Sequence, residues 1–283
     1  MTDKPQSPLA GSKLGYTVDY PQQYDPSLLF PVDRQINRSQ LHINGWNWAG
    51  FDLWYAYELS WLNARGLPQV ALGRFLLPAD SPCIIESKSL KLYLNSFNMS
   101  RFADREEVQS RLQQDLSAVA QAPVQVELLA VDTDLSQQPG TLAGALCLDS
   151  LPVEIDTFAV APELLQLRDS GTESSLQVRE VLYSHLLRSN CPVTGQPDWG
   201  SLVIDYEGPA LDHEAVLRYL VSFRTHTEFH EHCVERIFTD ILALGEFRRL
   251  LVRAHYTRRG GLDINPCRSL SPELPDMGRW TRQ

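Results

Sequence analysis

Apolar and polar residues follow two different periods along this chain, and the periods change in the same order twice. From Phe51 to Leu62 aromatic and apolar side chains crowd together as in a strand. Asn63 to Pro68 reads as a turn and Val70 to Leu77 as a returning strand. The period then becomes helical. Leu90, Leu94 and Phe97 share one face, and Val108, Leu112 and Leu116 mark a second helix beginning near Asp104. Val124 to Val131 returns to strand character. Ahead of these elements, Met1 to about Asn37 is rich in Pro, Gln and Asp and reads as an irregular arm. Asp132 to Gly144 is rich in Gly, Pro, Ser and Gln and reads as a linker between modules at residues 1–140 and 150–283.

The second half repeats the plan. Trp199 to Tyr206 reads as a strand, Asp212 to Phe223 as a helix and Glu228 to Leu244 as a longer helix. Phe247 to Tyr256 is a strand running into Arg259-Gly260-Gly261. Tyr93-Leu94-Asn95-Ser96-Phe97 corresponds to Tyr219-Leu220-Val221-Ser222-Phe223, and each is followed by a further Phe (Phe102, Phe229) and an amphipathic helix. Duplication is the natural reading of that shared order. The polar residues of the copies have diverged in a complementary way. Glu86-Ser87-Lys88-Ser89 precedes the first motif, where the second has Asp212-His213-Glu214-Ala215; Phe229-His230-Glu231-His232-Cys233 follows the second, where the first has Phe102-Ala103-Asp104-Arg105-Glu106. Neither half holds the full set, so one composite site per chain is expected, with each half supplying what the other lacks.

Composition narrows the function classes. A net charge of −10 disfavours a nucleic-acid-coating role, because phosphate contacts need an excess of Lys and Arg. The most apolar stretch, Trp48 to Leu62, is interrupted by Asp52 and Glu58 and cannot span a bilayer, and the polar N-terminus does not read as a signal peptide. Five cysteines, odd in number and never spaced Cys-x-x-Cys, fit a reducing cytoplasm rather than a disulfide framework.

Two polar segments carry the candidate chemistry. Asn190-Cys191-Pro192-Val193-Thr194-Gly195-Gln196-Pro197-Asp198-Trp199-Gly200 places a thiol and a carboxylate on one Pro/Gly turn, with Asp198 within reach of Cys191 if the segment folds back. An ordinary thiol is only a few per cent thiolate at neutral pH, so a nucleophilic Cys191 needs neighbours that favour the anion. The blander readings are a small buried hydrophobe for Cys191 and a turn or helix cap for Asp198. Glu86-Ser87-Lys88-Ser89-Leu90-Lys91-Leu92-Tyr93 places an acid, two cations and two hydroxyls at a helix opening. With Arg258, Arg259, Gly260 and Gly261 it suits a phosphate-bearing cofactor, whereas the plain alternative is a solvated basic face. Neither a dinucleotide-binding Gly-x-Gly-x-x-Gly nor a P-loop accompanies it. Glu86 and Glu231 could each accept two adjacent N–H donors of a guanine-like base, at about 1.5–3 kcal/mol per charge-assisted bond. His230 and Cys233, three apart on a helix, also admit a zinc reading completed by Cys191 or His185.

These segments, together with Tyr24-Asp25-Pro26-Ser27-Leu28-Leu29-Phe30-Pro31, Phe229-His230-Glu231 and Arg259-Gly260-Gly261-Leu262-Asp263-Ile264, resemble the NADPH-dependent nitrile reductases of queuosine biosynthesis in their long, two-module form. That family reduces 7-cyano-7-deazaguanine to the 7-aminomethyl base. The resemblance implies an α+β fold of tandem tunnelling-fold modules, antiparallel sheets with helices on one face. It further implies that Cys191 attacks the nitrile carbon to give a covalent thioimide and that Asp198 donates the proton. Ile85, Glu86, Ser87, His230 and Glu231 would meet the deazapurine; Ser87, Lys88, Arg259 and Gly260 would meet NADPH, with no metal. A cytoplasmic homodimer without direct nucleic-acid or membrane partners completes the expectation. The alternatives are a zinc-dependent GTP cyclohydrolase-like enzyme and a non-catalytic purine-binding module.

Overall fold

The structure, a computed structural model, describes residues 21–41, 48–136, 142, 144–168, 176–275 and 277–283. The chain divides into two units. The first holds Met1–Gln40, Leu53–Asp134 and Arg258–Asp263; the second holds Leu41–Asp52, Leu135–Thr257 and Ile264–Gln283.

The first unit contains β1 (Pro31–Asp33), α1 (Gln35–Arg38), most of β2 (Ala49–Leu62), β3 (Pro68–Pro78), β4 (Cys83–Ile85), α2 (Ser87–Ser96), α3 (Arg105–Ala120) and β5 (Gln125–Leu129). The order is β5-β3-β2, and β3 pairs antiparallel with β5, Phe75 opposite Val126. Alternation in β3 turns Ala71, Gly73, Phe75 and Leu77 inward, the period of a half-buried strand. Val108, Leu112, Leu116 and Ala120 form the buried stripe of α3, as their i, i+4 spacing predicts. Asp104 caps that helix by accepting from the Glu107 amide at 2.8 Å.

The irregular arm expected over Met1 to Asn37 is corrected in part. Residues 1–20 lie outside the described residues, but 31–38 form β1 and α1. Val32 is buried, and β1 pairs antiparallel with the apolar β4, Pro31 opposite Ile85. Arg38 donates to the Ala79 carbonyl at 2.6 Å and Arg34 Nε to Ser81 Oγ at 3.1 Å, so these cations are tied into the fold. The expected linker, Asp132 to Gly144, falls partly on 137–141 and 143, outside the described residues.

The second unit contains β6 (Leu146–Cys147), β7 (Gln177–Asn190), β8 (Pro197–Pro209), α4 (His213–Ser222), α5 (His230–Leu242), β9 (Arg249–Tyr256) and most of β10 (Leu262–Ser269). The order is β10-β9-β8-β7-β6, antiparallel except for β6, which runs parallel to β7. Val216 and Leu220 of α4 and Val234, Ile237, Phe238 and Ile241 of α5 join Leu202, Ile204, Val252 and Ala254 in one core, so both helices cover the same sheet face. A fully buried Arg268 bridges Asp52 at 2.8 Å and Glu235 at 2.7 Å beneath it. Among the described residues no helix is long and apolar enough to cross a membrane.

The repeated motif makes the same contacts in each unit. Tyr93 OH donates to Asp115 at 2.7 Å, and Tyr219 OH donates to Asp240 at 2.6 Å. Ser96 and Ser222 each donate to the carbonyl of their own motif's tyrosine at 2.6 Å. In turn they accept from the Asp25 amide at 3.1 Å and the Ala161 amide at 3.3 Å, each ahead of a short 3-10 turn, Pro26–Leu28 and Pro162–Leu164. The tyrosine packs edge-on to the motif phenylalanine in both, at 5.2 and 5.3 Å. Shared hydrogen bonds of this detail support duplication more strongly than five matched letters do.

Candidate active site

Cys191 stands at the tip of a β-hairpin. Antiparallel pairing carries β7 into β8 with Asn190 opposite Pro197 and Ser189 opposite Asp198. The Cys191 amide donates to the Gln196 carbonyl at 2.9 Å and the Gly195 amide to the Cys191 carbonyl at 3.0 Å. Gly195 sits at φ +66°, the left-handed region a glycine reaches without strain. The Pro/Gly segment therefore does fold back. It returns Asp198 on the strand neighbouring Cys191, buried and within a strand rather than at a cap.

The hairpin is fastened to the approach of α5. The Asn190 amide donates to the His226 carbonyl at 2.7 Å, and the Asn190 carbonyl accepts from the Glu228 amide at 3.1 Å. Phe229 is the N-cap of α5, so His230 and Glu231 open the helix. The His230 ring, half-buried, brings Nε2 to 3.4 Å from Asp198 Oδ2. Glu231 is buried in the first turn, where the positive helix end favours a carboxylate. On the next residue of β8 after Asp198, Trp199 gathers three guanidinium groups, Arg188 and Arg224 at 5.5 Å and Arg282 at 5.9 Å from the ring centroid. Successive side chains of a strand point to opposite faces, so these cations gather on the side of β8 away from Asp198.

The zinc reading meets a different arrangement. Among the described residues the His, Cys and acid atoms that gather within 4.8 Å are those of His226, Glu228 and Cys233, without Cys191, His185 or His230. Cys233 is fully buried, and burial pushes its thiol well above the ordinary range. Glu228 is already engaged by His226 at 2.6 Å, and Arg236 stands 3.5 Å away. Burial alone would raise the Glu228 carboxyl, but the His226 hydrogen bond and the charges of His232 and Arg236 outweigh it and hold the group below its usual value. A carboxylate already bonded to His226 and facing a guanidinium makes a poor cation site.

In the first unit β1–β4 pairing delivers Ile85 and Glu86 to the start of α2. Glu86 is the N-cap: its carboxylate accepts from the Lys88 amide at 2.8 Å and the Ser89 amide at 2.7 Å. Burial pushes the Glu86 carboxyl up, with the two amide bonds opposing. Ser89 is structural, accepting from the Phe30 amide at 3.0 Å and donating to the Glu86 carbonyl at 2.7 Å. Ser87 and Lys88 are half-buried on the first turn.

Arg259 to Leu262 is a two-residue hairpin turn whose flanking amides and carbonyls bond at 2.9 and 3.1 Å. Gly260 at φ +57° and Gly261 at φ +78° supply the two left-handed positions such a turn requires. A side chain on Gly260 would meet Lys91 Nζ at 3.2 Å, so this turn lies against α2. Lys91 pairs with Glu58 at 3.3 Å and Arg258 lies 4.6 Å over the Tyr57 ring. A bare glycine turn flanked by cations fits the anionic groups of a dinucleotide.

Comparison with known proteins agrees over most of the chain. Residues 20–128 match the family model described as "Nitrile reductase, 7-cyano-7-deazaguanine-reductase N-term", and residues 197–273 match that described as "QueF-like protein". A Bordetella pertussis protein named NADPH-dependent 7-cyano-7-deazaguanine reductase is 52% identical over 268 residues, covering 94% of this chain and 96% of the relative. Relatives of the same name from Chromohalobacter salexigens and Hydrogenovibrio crunogenus are 51% and 49% identical, covering 94% and 99% of this chain and the same shares of theirs. A solved structure described as the archaeosine synthase QueF-Like in the apo form aligns over 36% of this chain and 100% of its own, with a TM-score of 0.30 and 19% identity, too slight a likeness to bear on the fold.

Proposed function

Because the chain belongs to the NADPH-dependent 7-cyano-7-deazaguanine reductases, we propose that it reduces the nitrile of that base through a covalent adduct on Cys191. The observation that carries this reading is the hairpin register that sets Cys191 at the tip and returns Asp198 to the adjoining strand, with His230 Nε2 at 3.4 Å from its carboxylate.

A nitrile is a poor hydride acceptor, and thiolate addition converts it into a protonatable C=N. Sγ of Cys191 bonds to the nitrile carbon, one C–N π bond opens, and Asp198 passes a proton to the nitrogen. His230, beside Asp198, holds the substrate's reacting end. Glu86 and Glu231 accept the base's N–H donors, with Ile85 and Ser87 beside them. Ser87, Lys88, Arg259 and Gly260 hold the cofactor's anionic groups. Bound NADPH supplies hydride, two equivalents being needed to bring a nitrile to a primary amine. A cytoplasmic homodimer is the assembly we assign, on the cysteine usage and the two-module chain.

Intact-mass spectrometry tests the route. Mixed with 7-cyano-7-deazaguanine and no NADPH, the protein gains one substrate mass per chain, mapping to Cys191 and lost on adding NADPH. Cys191→Ala shows neither adduct nor turnover. Turnover by the wild type with the adduct on Cys83, Cys147, Cys233 or Cys267 refutes the assignment.

A further inference from the structure

His230 opens α5, and an N1 side chain has several staggered rotamers open to it. One contact removes that freedom. The imidazole lies face to face with the Tyr256 ring, centroids 3.9 Å apart and planes 23° from parallel. Tyr256 ends β9 and cannot move aside. It is 1% exposed, it pairs with Gly200 on β8, and its backbone carbonyl accepts from Gln283 Nε2 at 3.3 Å. Its ring lies across Gly200, where an added Cβ would sit 3.3 Å from Cδ1 and Cε1. That glycine is two residues beyond Asp198 on the same strand. One ring thus rests on the Asp198 strand and carries the histidine whose Nε2 faces Asp198.

We infer that Tyr256 is a positioning residue for the reaction, a rigid aromatic floor that fixes the plane of His230 and so the direction in which its nitrogens face Asp198 and the substrate. The inference rests on the role assigned to His230 above. The phenol takes no part as an acid. Burial, followed by the nearby Cys233 and Asp198 charges, drives it well above the ordinary tyrosine range, so it stays neutral while the ring does the holding. A shift of about 1 Å in a reacting group is enough to cost on the order of 100-fold in rate, so a loosened imidazole is a sufficient cause for a large effect.

The test compares Tyr256→Phe, which keeps the ring, with Tyr256→Leu, which removes it; Tyr256→Met takes the place of the latter if it does not fold. NMR of the His230 ring protons reads the stack directly, because a neighbouring aromatic face shifts them upfield. The upfield shift is expected in the wild type and in Tyr256→Phe and is lost in Tyr256→Leu. Steady-state kcat is expected to stay within about 3-fold in Tyr256→Phe and to fall about 10- to 100-fold in Tyr256→Leu. The KM for NADPH should be unchanged. In a His230→Ala background Tyr256→Leu should add little, since the ring then has nothing to hold. A Tyr256→Leu protein with wild-type kcat, an equal loss in the His230→Ala background, or a wild type without the upfield shift overturns the inference. Failure of the functional reading looks different: the wild type would not reduce the nitrile, while the ring-proton signature would persist.

Discussion

Acidification should destabilise this protein well before its carboxylates titrate, through His255. The residue lies on β9, 2% exposed, with its ring stacked on Trp280 at 4.7 Å and 17°. Burial, and after it the Arg253 charge, pushes its pKa down to about 3 against an opposing hydrogen bond with Gln283. Above pH ~6.5 neither the folded nor the unfolded chain holds a proton there, and the residue is neutral in its effect. Below that pH the unfolded chain takes up a proton that the folded chain refuses until about pH 3, so stability falls as pH falls. With an ordinary unfolded value near 6.5, the loss at pH 5 is about 2 kcal/mol. That figure is insensitive to the folded pKa as long as it stays well below 5. Urea unfolding at pH 7.5 and 5.0, followed by tryptophan fluorescence, measures it on the wild type and on His255→Phe, which keeps a ring for Trp280. At an m-value of about 2 kcal/mol/M, the wild-type midpoint should move about 1 M further between the two pH values than the variant's. Shifts shared by both proteins, such as those from Glu180, Glu228 or Glu86, cancel in the difference. Parallel movement of the two midpoints would refute the reasoning.

Other perturbations have defined outcomes. Glu235→Leu leaves Asp52 as the one carboxylate in a salt bridge with the fully buried Arg268 among the described residues and should lower stability by about 3–5 kcal/mol in denaturant titration. Gly261→Ala imposes a side chain at φ +78° and meets Glu58 Cδ at 2.4 Å; a loss of about 1–2 kcal/mol is expected, with the Lys91–Glu58 pair broken as Glu58 swings away. Arg259→Ala should raise the KM for NADPH about 10-fold or more while leaving the KM for the nitrile near the wild-type value, since phosphate recognition rewards a guanidinium; equal effects on both substrates would count against that role.

Local pattern revealed the elements whose period is clean. The α3 stripe, the inward residues of β3 and the fold-back of the Cys191 segment all follow from spacing or from turn residues. β7 was not legible, because a register irregularity between Ser184 and Leu187 breaks its alternation. β10 escaped for another reason: it is buried throughout yet carries Asp263, Asn265 and Arg268, polar residues whose partners lie elsewhere in the sequence, and Pro266, which reads as a strand breaker. The β1–α1 segment reads as irregular because its Pro, Gln and Asp content masks a pairing with β4 that is non-local. At the candidate site, residue types single out Cys191 and Asp198 and the Pro/Gly turn foretells their shared hairpin, but the helix-capping bonds of Glu86 carry no signal in residue type alone. Tyr256 gave no local signal at all, since one tyrosine at a strand end is silent until a histidine from another element lies on it.

On the proposed role of Glu86 in holding the base, its capping of α2 would tie binding to helix order. Both of its carboxylate oxygens already hold backbone amides of α2, those of Lys88 and Ser89. A ligand donating to the same carboxylate shares those oxygens with the first turn, so occupancy and local opening become linked equilibria. The exchange rates of the Lys88 and Ser89 amide protons with deuterated solvent would then report on the bound base directly. By the same linkage, a substitution at Glu86 would lower affinity for the base partly by letting the helix end fray, even where the lost contact to the ligand is small.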